Sequence, residues 1–382
     1  MQWMVPINEL AGQQARVLDA VLSDPDETHW VSGFAGTGKT IVITHALEKL
    51  VHAKPTSLIC FLTYTHSLKD LVASGLSKKV LAKIRIETID AFRSNPDKYN
   101  YIVVDEIQDT KDKDIQLIHS RARHLIVAGD PEQSIYLGRV KPADLRRLLG
   151  GAKNHPLRDI QRLTQVIFQL ATIVNPAAEI RKGATVKEEG EKARLIVGNT
   201  QKDEFLRVVR EADRVSAKGQ PSAVLFPIHK MIYRFASEVS VDAGWGVPPD
   251  REKRGRITSY ERFNRHFERH RSPLRFLGSD NGSLPESDEK KIIYLMTYHS
   301  AKGLDFNNVF LPHLTEGTNL DAKWRHFSNK TSERRLFFVA ITRSKQRVYF
   351  SYHGTPHPLL EELIPHANLI EKVSGQRGTF WR

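Results

Sequence analysis

Residues 33–40 read Gly33-Phe34-Ala35-Gly36-Thr37-Gly38-Lys39-Thr40. A short apolar run at Trp30–Val31 precedes them, and Ile41, Val42, Ile43, Ala46 and Leu47 follow at helical spacing. The pattern predicts a strand, a glycine loop and a helix. Gly33, Gly36 and Gly38 let the backbone curl, so that the N–H groups of the loop, Ala35 and Thr37 included, point at an anion. The first turn of the following helix adds its partial positive charge. Lys39 is then placed to reach the outer phosphates of a nucleotide, and the Thr40 hydroxyl to hold Mg²⁺. A glycine-rich turn that merely precedes a helix would not need Gly33 and Gly38-Lys39-Thr40 at this spacing. The loop predicts a nucleoside triphosphate site.

Composition sets the frame around that loop. The chain has 382 residues, enough for two domains of ordinary size, with 57 Lys+Arg against 44 Asp+Glu and a formal net charge of +13. A basic balance suits a polyanionic partner, although net charge alone also serves solubility. Cys60 is the only cysteine, which excludes a disulfide framework and a cysteine zinc cluster. The residues from Met1 to Leu10 lack the basic start and apolar stretch of a signal peptide. No segment reaches the roughly twenty apolar residues of a membrane span. The expectation is a protein without a membrane partner, cytoplasmic, and nucleoid-associated if bacterial.

Short apolar runs alternate with amphipathic stretches along most of the chain. Strands are predicted at Ser57–Thr63, Tyr101–Val104, His124–Ala128, Ala193–Val197, Ala223–Phe226, Ile292–Thr297, Asn308–Leu311 and Arg347–Ser351. Helices are predicted at Leu10–Leu22, Lys202–Val215 and Glu333–Ile341. Such alternation predicts α/β units around mostly parallel sheets. The turn-rich stretch from Gly150 to Pro156 is the expected boundary, giving domains 1–152 and 153–382. Residues 244–284, rich in Gly, Pro, Arg and Ser, read as an insertion in the second.

Two further strand ends carry acids. Tyr101-Ile-Val-Val-Asp105-Glu106-Ile-Gln108-Asp109 places Asp105 where Mg²⁺ needs a hard oxygen ligand. Glu106, one residue on, points elsewhere and suits the general-base task on an attacking water. Helix-capping acids are the bland alternative. A second strand, Leu125-Ile-Val-Ala-Gly129-Asp130, runs into Pro131-Glu-Gln133-Ser-Ile-Tyr136, where Gln133 is a candidate sensor of the γ-phosphate.

The order of these blocks resembles the UvrD/Rep-type branch of superfamily 1 helicases. It runs from residues 33–40 through Leu62-Thr63-Tyr64-Thr65 and Asp105-Glu106-Ile107-Gln108-Asp109 to Gly129–Tyr136. Tyr294-Leu-Met-Thr297-Tyr-His299-Ser-Ala-Lys302-Gly303-Leu-Asp305-Phe306 is similar to that family's fifth motif, and Glu333 to Ser344 to its sixth. Leu157 to Ile167, with Arg162 and Thr164, resembles a degraded fourth motif. The resemblance implies two tandem RecA-like P-loop NTPase domains with ATP and Mg²⁺ between them. By position, Arg343 matches the main arginine finger and Arg162 a second one supplied by the second domain, with a surface arginine as the alternative for Arg162. Arginines of this kind stabilise charge as the γ-phosphate leaves. Gly303 and Asp305 match the sugar contact, the aspartate in place of a glutamate. Gln14 matches the glutamine that reads adenine, with a solvated helix glutamine as the alternative. Ile41 and Gln161 stand where many members stack an arginine and a tyrosine on the base, which weakens that grip.

The resemblance also implies a nucleic-acid path across both domains, lined here by Tyr64, Thr65, Thr88, Tyr136, Arg139, Thr297 and His299. Single-strand channels combine cations with aromatic platforms, and Tyr64 and Tyr136 fit the platform role unless they are ordinary packed tyrosines. Gly138 replaces one usual stacking ring. About seventeen positions separate Thr88 from Asp105, so the large helical subdomain of bigger members has no place there. Within 244–284, Tyr260, Phe263 and Phe267 recur at helical spacing, with Arg262, Arg265 and Arg269 on another face. A helix presenting arginines to phosphates and a solvated charged face are both open readings. His266 and His270 have metal-pair spacing but no evident third ligand.

The expected function is an ATP-dependent motor, a 3′-to-5′ DNA helicase or single-strand DNA translocase acting on single-stranded or partly duplex DNA, with RNA open. The alternative is a DNA-sensing ATPase that signals to a protein partner such as a nuclease, in repair or anti-phage defence. A plain P-loop kinase would not need His299–Phe306 or Arg343.

Overall fold

The computed structural model describes residues 3–130, 134, 140, 142–149, 151–249, 260–278, 286–321 and 330–370. The chain divides into two compact units. The N-terminal unit takes residues up to Arg162 together with Ala178–Val186, and the C-terminal unit takes Leu163–Ala177 and the chain from Lys187.

The N-terminal unit is built on a parallel sheet of six strands: β1 (His29–Gly33), β2 (Ile59–Thr63), β3 (Ile84–Thr88), β4 (Tyr99–Val104), β5 (Ala122–Gly129) and β6 (Lys153–Leu157), ordered β3-β2-β4-β5-β1-β6. Alternate residues of the same strands feed two cores. Val31, Phe61, Val103 and Ile126 face one side with Val42, Ile43 and Leu47 of the helix Lys39–Ala53. Trp30, Cys60, Leu62, Ile102, Val104 and Val127 face the other. A parallel sheet covered on both faces requires such continuous apolar strands, which is why they stand out in the sequence. Burial pushes the Cys60 thiol well above its ordinary range, so this lone cysteine packs as an apolar side chain.

The expected boundary after residue 152 falls inside this unit. β6 pairs in parallel with β1 over Lys153–Leu157, and β7 (Asp159–Ile160) pairs with β8 (Ala184–Thr185), which returns to the same unit. The division therefore lies after Arg162. Thr88 connects to Asp105 through one short helix, Ile89–Ser94, and β4, which fills the place an inserted subdomain would take.

The C-terminal unit holds a second parallel sheet: β9 (Ala193–Gly198), β10 (Ser222–Phe226), β11 (Leu274–Phe276), β12 (Ile293–Thr297), β13 (Phe306–Leu311), β14 (Ser344–His353) and β15 (Ala367–Leu369), ordered β11-β12-β10-β13-β14-β9-β15. Of the region 244–284, the described residues 260–278 are woven into this sheet instead of standing apart from it. β11 pairs with β12, and Phe263 and Phe267 of the helix Tyr260–Arg269 are fully buried in the same core as Phe205, Phe226 and Phe235. Asn264 fixes the junction, its amide bonding both the N–H and the carbonyl of Phe276.

Candidate nucleotide and nucleic-acid site

In the N-terminal unit the loop after β1 has the curl its glycines promise. Gly36 and Gly38 have φ of 78° and 86°, the left-handed region that favours glycine. A Cβ on Gly33 would stand 2.6 Å from the Leu157 carbonyl, and one on Gly38 2.1 Å from Gln14 Nε2. Ala35 and Thr37 are buried in the loop, and Thr37 Oγ1 donates to the Phe34 carbonyl at 3.0 Å. Lys39 folds back to donate to the carbonyls of Gly33 at 2.8 Å and Phe34 at 3.0 Å. Burial lowers its pKa, and the nearby Asp130, Glu106 and Asp105 pull the other way.

The tip of β4 lies against this loop. Thr40 Oγ1 donates to Asp105 Oδ2 at 2.7 Å, and the Glu106 N–H donates to Asp105 Oδ1 at 2.9 Å. Asp105 is buried, and its pKa is raised chiefly by desolvation and then by Glu106. A buried carboxylate bonded to a hydroxyl in this way is a hard-oxygen pair suited to a divalent cation. Glu106 has φ 53°, a left-handed backbone that glutamate rarely adopts. Its carboxylate is held by Gln108, whose Nε2 donates to Glu106 Oε2. Gln108 Oε1 accepts from the Asp130 N–H at 3.1 Å, which ties Glu106 to the end of β5. Sequence reasoning assigned no role to Gln108 or Asp130. Their positions past apolar strands, Asp130 directly after β5 and Gln108 four residues after β4, were the signal available.

Gln14 is no solvated helix residue. It is buried, donates to the Thr37 carbonyl at 2.9 Å and accepts from the Ala11 N–H at 3.1 Å. Arg162 belongs to the N-terminal unit, contrary to its expected supply by the second domain. The N–H groups of Gln161 and Arg162 both donate to the Gly36 carbonyl, at 2.9 and 3.1 Å, and a Cβ on Gly36 would meet the Arg162 side chain at 2.7 Å. Its guanidinium charge is felt at Lys39.

In the C-terminal unit the structure brings Gly303, Asp305 and Arg343 together. Arg343 is buried and donates to the carbonyls of Val339 and Leu304 at 2.9 and 3.3 Å, while its own carbonyl accepts from the Phe306 N–H at 2.9 Å. Gly303 has φ 81°, and Asp305 pairs with Lys345 at 3.5 Å.

The described members of the proposed strand path lie at the carboxyl ends of strands, three in the N-terminal unit and two in the C-terminal unit. Thr63 and Thr88 are register partners, so Tyr64, Thr65 and Thr88 share one edge of the first sheet, beside the β4 tip. Tyr64 is partly exposed. Thr65 and Thr88 are buried N-caps, their hydroxyls accepting from the N–H groups of Leu68 and Ala91. Thr297 and His299 are buried at the end of β12, and Thr297 Oγ1 is bonded to Ser300. Gln133, Tyr136, Gly138 and Arg139 lie outside the described residues.

On the helix Tyr260–Arg269 the arginine face is mixed in charge. Arg262, Arg265 and Arg269 are exposed, but so are Glu261 and Glu268, with Arg265 and Glu261 paired at 3.4 Å. Three cations interleaved with two anions make a solvated surface. Replacing the three arginines with alanine is expected to leave DNA affinity and its salt slope unchanged. A slope shallower by about 0.7 per lost single-strand phosphate contact would restore the phosphate reading.

Both units are thus α/β domains with parallel sheets, the first a P-loop nucleotide-binding domain. A model of the UvrD-like helicase C-terminal domain matches residues 274–355, and a model of an AAA domain matches residues 18–139. Over 161 residues the chain is 32% identical to the ATP-dependent DNA helicase PcrA of Staphylococcus aureus strain Mu50, a match taking in 36% of this chain and 22% of that one. Over 66 residues it is 40% identical to the ATP-dependent DNA helicase Rep of Buchnera aphidicola subsp. Schizaphis graminum, taking in 17% and 10%. The chain therefore spans under a quarter of these curated relatives. A solved arterivirus nonstructural protein 10 (helicase) in complex with DNA aligns with a TM-score of 0.42 and 16% identity, over 87% of this chain and 62% of that one. With its two RecA-like domains, the chain is a UvrD/Rep-like protein of the superfamily 1 helicase type. Among the described residues, no helix is long and apolar enough to cross a membrane.

Proposed function

We propose that this chain hydrolyses ATP and uses the cycle to move 3′-to-5′ along single-stranded or partly duplex DNA, as a helicase or translocase. One observation carries the reading: the Thr40–Asp105 bond of 2.7 Å, with Lys39 in the glycine loop on one side and Glu106 held by Gln108 on the other. The relatives' names, ATP-dependent DNA helicases, support the nucleotide and the substrate class. In this reading the loop N–H groups bind the phosphates, and Lys39 exchanges the Gly33 and Phe34 carbonyls for phosphate oxygen. Thr40 and Asp105 would hold Mg²⁺, which supplies charge neutralisation at the outer phosphates. Glu106 accepts the proton of the attacking water, and Gln108 keeps its carboxylate aimed. Gln14 braces the loop beneath the base. Arg343, Arg162, Gly303 and Asp305 keep the roles the family resemblance gives them, as do Tyr64, Thr65, Thr88, Thr297 and His299 along the strand.

The burial of the Thr65 and Thr88 hydroxyls in helix caps favours a second reading, a DNA-sensing ATPase that signals to a partner such as a nuclease. Strand displacement on 3′-tailed and 5′-tailed duplexes, run beside ATP hydrolysis with and without single-stranded DNA or RNA, tests both. The expected result is DNA-stimulated hydrolysis with displacement of the 3′-tailed substrate. Stimulation with neither substrate displaced would move the assignment to the sensor, and no stimulation by either nucleic acid would overturn both.

A further inference from the structure

At the carboxyl edge of the second sheet, three elements bring one carboxylate and two imidazoles together. Glu204 lies in the first turn of the helix Gln201–Val215 that follows β9, His313 two residues beyond β13, and His353 at the end of β14. Their ligand atoms all lie within 4.8 Å of one another. This edge is where open α/β sheets gather ligands. Asp305 and Arg343 stand at the opposite, amino ends of β13 and β14, about 20 Å away along β13 at roughly 3.3 Å per residue.

The carboxylate of Glu204 is completely buried, and its two oxygens have divided tasks. Oε1 accepts from Ser351 Oγ and from the His313 N–H, both at 2.6 Å. Oε2 faces His353 Nδ1 at 2.6 Å. The Nδ1 of His313 is shielded from solvent and has no hydrogen-bond partner among the described residues. His313 is held at φ 61°, a left-handed conformation uncommon for any residue but glycine. The rings of His313 and His353 are 5.2 Å apart. A buried Glu–His pair alone would leave the His313 nitrogen unsatisfied, which costs free energy without return.

We propose that Glu204, His313 and His353 form a site for a divalent late first-row metal ion of the Zn²⁺ class. Two imidazoles and one carboxylate suit such ions, whereas Mg²⁺ and Ca²⁺ prefer all-oxygen sets. The ion is bound by Glu204 Oε2, His313 Nδ1 and His353 Nδ1, with the His353 proton carried on Nε2. Ligand bonds of about 2.0–2.1 Å require Oε2 and His353 Nδ1 to part by less than about 1 Å from their present contact. Oε1 keeps its two donors, which orient the ligating carboxylate as second-sphere hydrogen bonds do at metal sites. The backbone is already fixed around the ion. The Leu314 N–H donates to the Ser351 carbonyl at 2.9 Å, Thr315 Oγ1 to the His353 carbonyl at 3.1 Å, and Gly198 is the register partner of His353. Bound there, the ion would cross-link the ends of β13 and β14 to the start of the helix.

The test titrates the purified chain, stripped with a chelator, with Zn²⁺ alone by calorimetry, and follows its thermal transition. Wild type is expected to take up one Zn²⁺ at this site and to melt at a higher temperature with the metal than without. His313→Gly, which relieves the left-handed backbone, and His353→Gln should each weaken that binding by about tenfold or more and lose the rise in Tm. Co²⁺ in place of Zn²⁺ should give d–d absorption in wild type and lose it in both variants. His266→Ala/His270→Ala should bind as wild type. Absence of stoichiometric Zn²⁺ uptake by wild type, or wild-type uptake in both His313→Gly and His353→Gln, would overturn the site.

Discussion

Lys39→Ala is expected to abolish ATP hydrolysis in the purified chain, with a loss of about a hundred- to a thousandfold or more in kcat, while its circular dichroism stays that of wild type. The ammonium is buried inside the glycine loop, where its interaction with phosphate is least screened by water. Glu106→Gln should bind ATP with affinity near that of wild type and turn it over some hundred- to ten-thousandfold more slowly, the span of general-base catalysis. The two variants separate binding from chemistry, since the lysine is asked to hold charge and the glutamate to take a proton. Gln108→Leu is a third arm. It removes the amide between Glu106 and the end of β5, so its loss should fall in kcat and be smaller than that of Glu106→Gln. Normal turnover by Glu106→Gln would show that another group accepts the proton.

How far the site was legible depended on which physical signal each residue leaves in sequence. The strands of the two sheet interiors were plain because burial on both faces demands unbroken apolar runs, as in Tyr101–Val104 and Ile293–Thr297. β6 was hidden because it lies at the sheet edge beside β1, where Lys153, Asn154 and even Pro156 are tolerated. Its polarity made a strand look like a domain boundary and displaced Arg162 into the wrong unit. The arginines and turn residues of 244–284 outweighed the Phe263–Phe267 spacing that ties this region to the sheet core. Tertiary pairing of that kind leaves no local trace. The glycine loop was readable to the residue because only glycine accepts the φ of Gly36 and Gly38 at little cost. The φ of Glu106 could not be foreseen, since glutamate rarely adopts a left-handed backbone and no glycine or asparagine marks the turn. Thr65 and Thr88 show the reverse ambiguity: a threonine at a strand's end serves a helix cap as readily as a ligand, and here both hydroxyls bond backbone N–H groups.

Arg343→Ala is expected to lower kcat by about a thousandfold or more, the scale of a lost arginine finger, with a much smaller change in ATP affinity. The structure makes this a demanding test, because Arg343 also has work inside its own unit. Its guanidinium bonds the carbonyls of Val339 and Leu304 and the hydroxyl of Thr342, joining the end of the helix Lys330–Ile341 to the segment before β13. Truncation leaves buried carbonyls without donors, at a cost of about 1–3 kcal/mol each, so a lower Tm is expected alongside the kinetic loss. Arg343→Lys separates the two effects. Lysine keeps the charge but lacks the planar fork, so it cannot bond several carbonyls while also meeting a phosphate oxygen. A finger predicts that Arg343→Lys remains severely slowed even at temperatures where circular dichroism shows it fully folded. A purely structural arginine predicts kcat near wild type whenever either variant is folded. Near-normal kcat in folded Arg343→Ala would retire the finger assignment and leave Arg162, seated on Gly36 in the N-terminal unit, as the remaining arginine candidate.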